Sequence, residues 1–229
     1  MHPPCCVISK FCRDNLLTEL FVWVLTVGFL AGCVSRPQVY STAQHRAFSL
    51  RANDLETHGL ALITPSTVTT QEEDKQALAL TFAETLIKER PAIRCVTLSE
   101  TLGAINRNGL AEPYKLMFEE YHYTGILRHD VLQKVGNVTG ARYVGQLKLA
   151  GFRQNSDSRF SIFGLRVLGT QQADIRLFVQ IWNTEDGTIA WEASQELTYA
   201  YDDYLEKTIT FRAVVEETAR RIISLLPQG

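Results

Sequence analysis

ADIRLFVQIWNTEDGTIAWEASQELTYAY, residues 173–201, decides the fold. Ile175, Leu177, Val179 and Ile181 recur at every second position, the rhythm of a strand with one covered face. Asp186-Gly187 then marks a tight turn, because glycine takes the positive φ such turns need without steric cost. Ile189, Trp191 and Ala193 resume the alternation on a shared face, so the stretch predicts an antiparallel hairpin with Trp182 and Trp191 as packing residues. Upstream, ARYVGQLKLAGF (141–152) sets Tyr143, Leu147 and Leu149 against Gln146 and Lys148, which predicts another strand. Downstream, Leu205, Ile209, Val215, Ile222 and Leu226 share one stripe of a helix expected over 203–226.

The first half of the body alternates differently. GLALITP (59–65) is a short buried strand, followed by a helix with Thr70 and Glu73 at capping-box spacing. Leu78, Phe82 and Leu86 recur along it before Pro91 stops it, and 92–97 forms a second strand. Thr97 and Glu100 repeat the capping spacing for a helix ending at Asn108-Gly109; Pro113 opens another to about Tyr123, and a third near 129–138 is closed by Gly140. The order β-α-β-α-α-α-β-β-β-α predicts an α/β domain over 58–229, a mixed sheet of about five strands flanked by helices in two or three layers.

With 45% hydrophobic and 21% charged residues and a formal charge of -2, the composition is globular. No clustered basic stripe is present, so nucleic acid is not an expected partner. Cys5, Cys6, Cys12 and Cys33 crowd the amino terminus and only Cys95 lies beyond, which is no disulfide framework. Cys95 reads as a buried small hydrophobe.

Lys10 and Arg13 precede an apolar stretch from Leu20 to Ala31, short for a membrane span and apt for a signal h-region. An uncleaved anchor or a plain buried helix is the structural alternative. Leu30-Ala31-Gly32-Cys33 resembles the lipobox of bacterial lipoproteins, although Asp14 and Glu19 are unusual in the region before such a signal. The resemblance implies cleavage between Gly32 and Cys33, a lipid on the Cys33 thiol, and a mature chain beginning there. Residues 1–32 are then a signal peptide and 33–57, rich in Ser, Pro, Gln, Thr and Asn, a flexible tether. Val34, where retained lipoproteins tend to carry aspartate, implies transfer to the outer membrane.

Catalytic motifs are not found: no nucleophile elbow, P-loop, GxGxxG or HExxH occurs. His122, His129 and Asp130 are the metal candidates, equally explained as solvated or capping groups. Glu119 and Glu120, adjacent on a helix, cannot converge as an acid/base pair. The expectation is no enzyme, no cofactor and no metal. RQNSDSRFSIFGLRVLGTQQ (153–172) places Phe160, Ile162, Phe163, Leu165 and Val167 in a connection where a surface loop needs few apolar groups. These residues either extend the flanking strands and tuck under the domain or form a partner or self-association patch. Twenty residues look short for two membrane-spanning strands of about ten residues each plus their turn, so a membrane channel is not expected. Tyr199, Tyr201 and Tyr204 interleave with Asp202 and Asp203, an aromatic contact site or a strand end entering a helix N-cap.

The lipobox, the strand-helix-strand opening, GARYVGQLKL, VQIWNTEDGTIAWEAS and the closing helix together resemble the curli-type secretion lipoprotein family. A similar anticodon-binding-like domain occurs in lipoprotein activators of peptidoglycan synthases and in the amino-terminal domain of TolB. The resemblance, over about 59–226, implies a protein that binds envelope partners or itself, as a homo-oligomer, while anchored to the outer membrane. An activator reaching toward a cell-wall synthase is one alternative, and a hydrolase or metal enzyme is another, which the missing motifs disfavour.

Overall fold

The computed structural model describes residues 38–68, 71–162, 165–203 and 210–228, with 38, 156–162, 165–171 and 201–203 described by backbone alone. Strand β1 (Gln38–Ala47) leads to helix α1 (Asp54–His58), strands β2 (Leu60–Leu62) and β3 (Ser66–Thr67), helix α2 (Glu72–Glu89) and strand β4 (Cys95–Val96). Helices α3 (Leu98–Arg107), α4 (Ala111–Thr124) and α5 (His129–Thr139) follow. The chain closes with strands β5 (Tyr143–Ile162), β6 (Leu165–Asn183) and β7 (Ile189–Asp203) and helix α6 (Phe211–Ser224). All strands join one seven-stranded sheet in the order β1-β7-β6-β5-β2-β4, with β3 beside β5. β2 runs parallel to β4 and β5, whereas each neighbouring pair in the series β5, β6, β7, β1 is antiparallel, so the sheet is mixed as expected.

Alternation along the strands builds two cores. Leu60 and Leu62 of β2, Tyr143, Leu147 and Leu149 of β5, and Ile175 to Ile181 at odd positions of β6 meet Leu78, Phe82 and Leu86 of α2 and Val215 and Ile222 of α6. On the opposite face Ala61, Ile63, Val144 and Trp182 meet Ile105 of α3, Tyr114 and Met117 of α4 and Val131, Leu132 and Val135 of α5. Helices thus cover both faces, a three-layer α/β/α arrangement, and β2 is buried throughout because it lies between both layers. Thr97 accepts from the Glu100 N–H while Glu100 accepts from the Thr97 N–H, the capping box read from the sequence. Gly140 closes α5 at φ 65°.

Several boundaries differ from expectation. Residues 38–57, expected to be tether, form an edge strand and a helix: β1 pairs with β7 from Gln38↔Ala200 to Ala47↔Trp191, and Leu50 and Leu55 are buried in the first core. An isolated edge strand carries little periodicity, since both its faces are largely exposed here, and its pairing is visible only once β7 is placed. Helix α2 starts at Glu72 with Gln71 as a cap that makes no side-chain bond; Thr70 lies outside the described residues. The strand expected over 92–97 shortens to Cys95–Val96. Helix α6 starts at Phe211, capped by the Thr210 hydroxyl accepting from the Ala213 N–H, so Asp202 and Asp203 stand at the end of β7 and are not the cap of α6. Leu205, Ile209 and Tyr204 lie outside the described residues.

Two bulges re-aim side chains. A register shift between Ile181 and Trp182 opposes Trp182 to Ile189 and Ile181 to Trp191, leaving Ala190 extra. Ile189 therefore packs on the second core while Trp191 and Ala193 lie in the first, not on one shared face. The Ala190 carbonyl accepts from the N–H groups of Phe48, Ser49 and Leu50 at 2.9 to 3.1 Å, which ties the end of β1 to the body. A second shift between Leu149 and Gly151 keeps Phe152 on the core side, where it meets Phe211 edge-on at 5.1 Å.

The connection at 153–172 continues both strands. β5 and β6 stay paired to Ile162↔Leu165, β7 is paired with β6 as far as Gly169, and β1 with β7 from Gln38 onward, so among the described residues four paired strands give way to three and then to two. The segment supplies ten residues of β5 and eight of β6 because the two strands leave only 163–164 between them. The expectation that it is too short for two long strands is thereby corrected.

Candidate functional site

Cover on the second face is partial. α3, α4 and α5 pack over the end of the sheet near Val144, Trp182 and Ile189. Beyond Tyr121 and Gly125 at the end of α4, the strands lie open and form a cleft of about 550 Å³. The register across β1, β7, β6 and β5 builds its floor from two rows, Arg46–Glu192–Gln180–Gln146 and Gln44–Ser194–Phe178–Lys148. A second concavity of about 460 Å³ continues up the sheet, where Arg176 pairs with Glu196 at 2.7 Å and the Thr198 hydroxyl donates to Asp174 at 2.7 Å.

Each floor residue has a physical reason for its state. Gln146 is 1% exposed; its amide N–H₂ donates to Ser66 Oγ at 3.3 Å and the Leu147 carbonyl at 3.4 Å, while its buried Oε1 has no hydrogen-bond partner. Tyr121, whose hydroxyl donates to Gln180 Oε1 at 3.3 Å, is held above the usual phenol range by burial. The Arg46 guanidinium lies 5.0 Å from the Phe48 ring centroid, a cation–π contact that orients it at the rim. Phe178 keeps 38% of its surface exposed in the middle of the floor. Amides, a hydroxyl, opposite charges and one aromatic face make a surface suited to recognition through hydrogen bonds and stacking.

The turn that leads into β7 is ordered by its own side chains. Gly187 adopts φ 72°, the Asp186 carboxylate accepts from the Thr188 N–H at 2.9 Å and hydroxyl at 2.7 Å, and Asn183 Nδ2 donates to it at 3.1 Å. Burial pushes the Asp186 carboxyl up, but the bonds from Thr188 and Asn183 and the nearby Arg142 charge outweigh it and hold it below its ordinary value. Gly136 of α5 allows this turn to approach: a Cβ there would stand 2.5 Å from Thr184 Oγ1.

The residues singled out in the sequence are placed as follows. Cys33 and Gly32 lie outside the described residues, as does Phe163; Phe160, Ile162, Leu165 and Val167 stand on β5 and β6 with their side chains outside the description. His129 meets the Glu185 carbonyl at 2.9 Å, Asp130 is bound bidentately by Arg128 at 2.8 and 3.1 Å, and His122 packs edge-on to Tyr123, so the three do not converge. Among the described residues no cluster of His, Cys, Asp or Glu is arranged to hold a metal, and no helix is long and apolar enough to cross a membrane. Lys115 and Arg128 face Glu119 and Glu120 respectively, at 4.0 and 3.8 Å. Cys95 is half-buried, its thiol pushed up to about 11 by burial and by the Glu100 charge. Gln146 and Lys148 read in the sequence as the wet side of their strand; that they align with Gln180 of β6 and with residues of β7 and β1 into one floor follows from register, which no single segment encodes.

No protein-family model matches the chain, and no curated protein matches it in sequence. Among solved structures, the PelC dodecamer from Paraburkholderia phytofirmans is 11% identical, with 83% of this chain and 99% of that chain covered at a TM-score of 0.48. Lipoprotein GNA1162 from Neisseria meningitidis is 9% identical, covering 72% of this chain and 96% of that one at 0.40. The LpoB C-terminal domain from Salmonella enterica is 12% identical, covering 66% and 86% at 0.33. At these identities and TM-scores, nothing those proteins do carries over to this chain.

Proposed function

We propose that this chain is a lipid-anchored binding or assembly protein of the bacterial envelope, held at the outer membrane on its periplasmic side, working by contact with envelope proteins or with itself and not by catalysis. The observation that supports a contact role is the uneven cover of the sheet. One face is packed by α2 and α6, while the other stays open across four strands from the cleft at Gln146 and Phe178 to Arg176 and Asp174. An open, mixed-polarity face of that width favours recognition of another surface.

The address rests on the lipobox-like Leu30-Ala31-Gly32-Cys33. Cys33 stands five positions before Gln38, where β1 begins, so the linking chain reaches at most about 17 Å. A lipid on Cys33 would keep the body against the membrane surface. That short reach disfavours an activator that must extend to a distant cell-wall synthase. Replacing Cys33→Ala is expected to abolish fatty-acid labelling and release the protein from membranes, read by metabolic labelling and fractionation. A labelled, membrane-bound variant refutes the anchor. Crosslinking of the intact protein in envelopes is expected to trap a protein partner or a second copy; a chain that crosslinks to neither refutes the contact role.

A further inference from the structure

The two ends of the sheet are built differently. At one side β4 and β3 offer two residues each, too short a stretch to template another strand, and above them the edge is β5 itself, interrupted by register shifts at Leu149/Gly151 and Ser158/Phe160. At the other, β1 runs for ten residues and pairs with β7 without a register shift, and among the described residues no strand pairs with its outer edge. The devices that usually blunt such an edge are missing: QVYSTAQHRA has no proline, no lysine and no bulge, and Arg46 is its one formal charge. Tyr40 through Ala47 are exposed throughout.

We propose that β1 pairs with β1 of a second copy of this chain, antiparallel about a two-fold axis at Ala43. The inference rests on the self-association half of the proposed function and names its surface. For the helix-covered faces of both copies to lie on one side of the joined sheet, residues of equal parity must stand opposite one another. Centring on Ala43 sets Val39 against Ala47, Tyr40 against Arg46, Ser41 against His45 and Thr42 against Gln44. No like charges meet, the smallest side chain faces itself on the axis, and each Tyr40 ring, 68% exposed in the single copy, receives a guanidinium. Centring on Thr42 instead sets Tyr40 against Gln44 and Arg46 against Gln38, which forfeits both cation–π contacts. The outward N–H and C=O groups of Val39–Ala47 then complete a regular ladder in place of hydrogen bonds to water.

The test uses the full chain extracted from membranes in mild detergent, its mass followed by analytical ultracentrifugation over a concentration series. A dimer is expected. Tyr40→Lys is expected to weaken it about ten- to a hundredfold, because two like-charge contacts replace two cation–π contacts. Adding Arg46→Glu to Tyr40→Lys is expected to return the affinity to within about threefold of the parent, since opposite charges then meet in the same register. Tyr40 is largely exposed, so unchanged melting of the single variant checks that the fold is intact. A monomer at every concentration overturns the edge pairing, as does Tyr40→Lys associating as tightly as the parent or a double variant as weak as the single one. Association indifferent to Tyr40→Lys places self-association elsewhere and spares the proposed function. A monomer that still crosslinks to an envelope protein likewise refutes the edge alone.

Discussion

Removing one buried hydroxyl on α4 gives a test of the second core with a pH signature of its own. Tyr114 is 7% exposed; its hydroxyl accepts from the Thr64 N–H at 3.0 Å and shares a hydrogen bond with Thr64 Oγ1 at 3.0 Å, tying α4 to the chain just after β2. Burial, with a smaller push from the Glu72 charge, raises this phenol to about 12 against the opposing pull of the Thr64 bonds. Tyr114→Phe keeps the ring and strands the Thr64 N–H, which is expected to cost about 1–2 kcal/mol at pH 7. The raised value means that the folded protein favours the neutral phenol, so the stabilisation is complete below the unfolded value near 10 and is lost as pH climbs from there toward 12. A phenol raised from about 10 to about 12 carries about 3 kcal/mol of stabilisation in the limit, most of which is lost by pH 11.5. The parent should therefore lead the variant at pH 7 and lose that lead by about pH 11.5. Urea unfolding followed by the fluorescence of the buried Trp182 and Trp191 measures the gap, and other tyrosines cancel because both proteins share them. A gap that stays constant from pH 9 to 11.5 refutes the assignment of a buried, neutral Tyr114.

Other consequences are checked more simply. Leu55→Ala should destabilise the protein by about 2–4 kcal/mol in chemical denaturation, because Leu55 is 3% exposed in the first core; a neutral effect would return residues 38–57 to a tether. Asp186→Asn should lower the melting temperature at pH 7, and the difference should shrink as pH falls below about 4, since a carboxyl held low stabilises above its unfolded value and loses that contribution as it protonates; a pH-independent difference refutes the turn network. Cys95, with its thiol near 11, should hold about one part in a thousand as thiolate at pH 8 and alkylate only on unfolding, followed by peptide mass spectrometry; rapid native labelling contradicts its burial.

How much of this was legible depended on how local the cause was. The Thr97–Glu100 capping box, the Asp186-Gly187 turn, the Gly140 helix stop and the odd-numbered apolar row of β6 arise from neighbours in sequence, and each stands where the residues predict it. β1 was hidden because QVYSTAQHRA has no buried face to impose a period of two; its strand character comes from β7. The Ala190 bulge divides Ile189 from Trp191 between two cores, a choice made by three backbone donors from 48–50 that sit far away in the chain. The cleft, likewise, is no motif: Arg46, Glu192, Gln180 and Gln146 come from four strands and meet through register alone. Sequence by itself determined the α/β class, the Thr97–Glu100 capping box and the Asp186-Gly187 turn, because propensity, hydrophobic period and short motifs act within a few residues. Tertiary structure decided which strand forms the edge, where the bulges fall and which sheet face stays open, because each depends on backbone pairing and packing between segments as distant as Gln38 and Ala200.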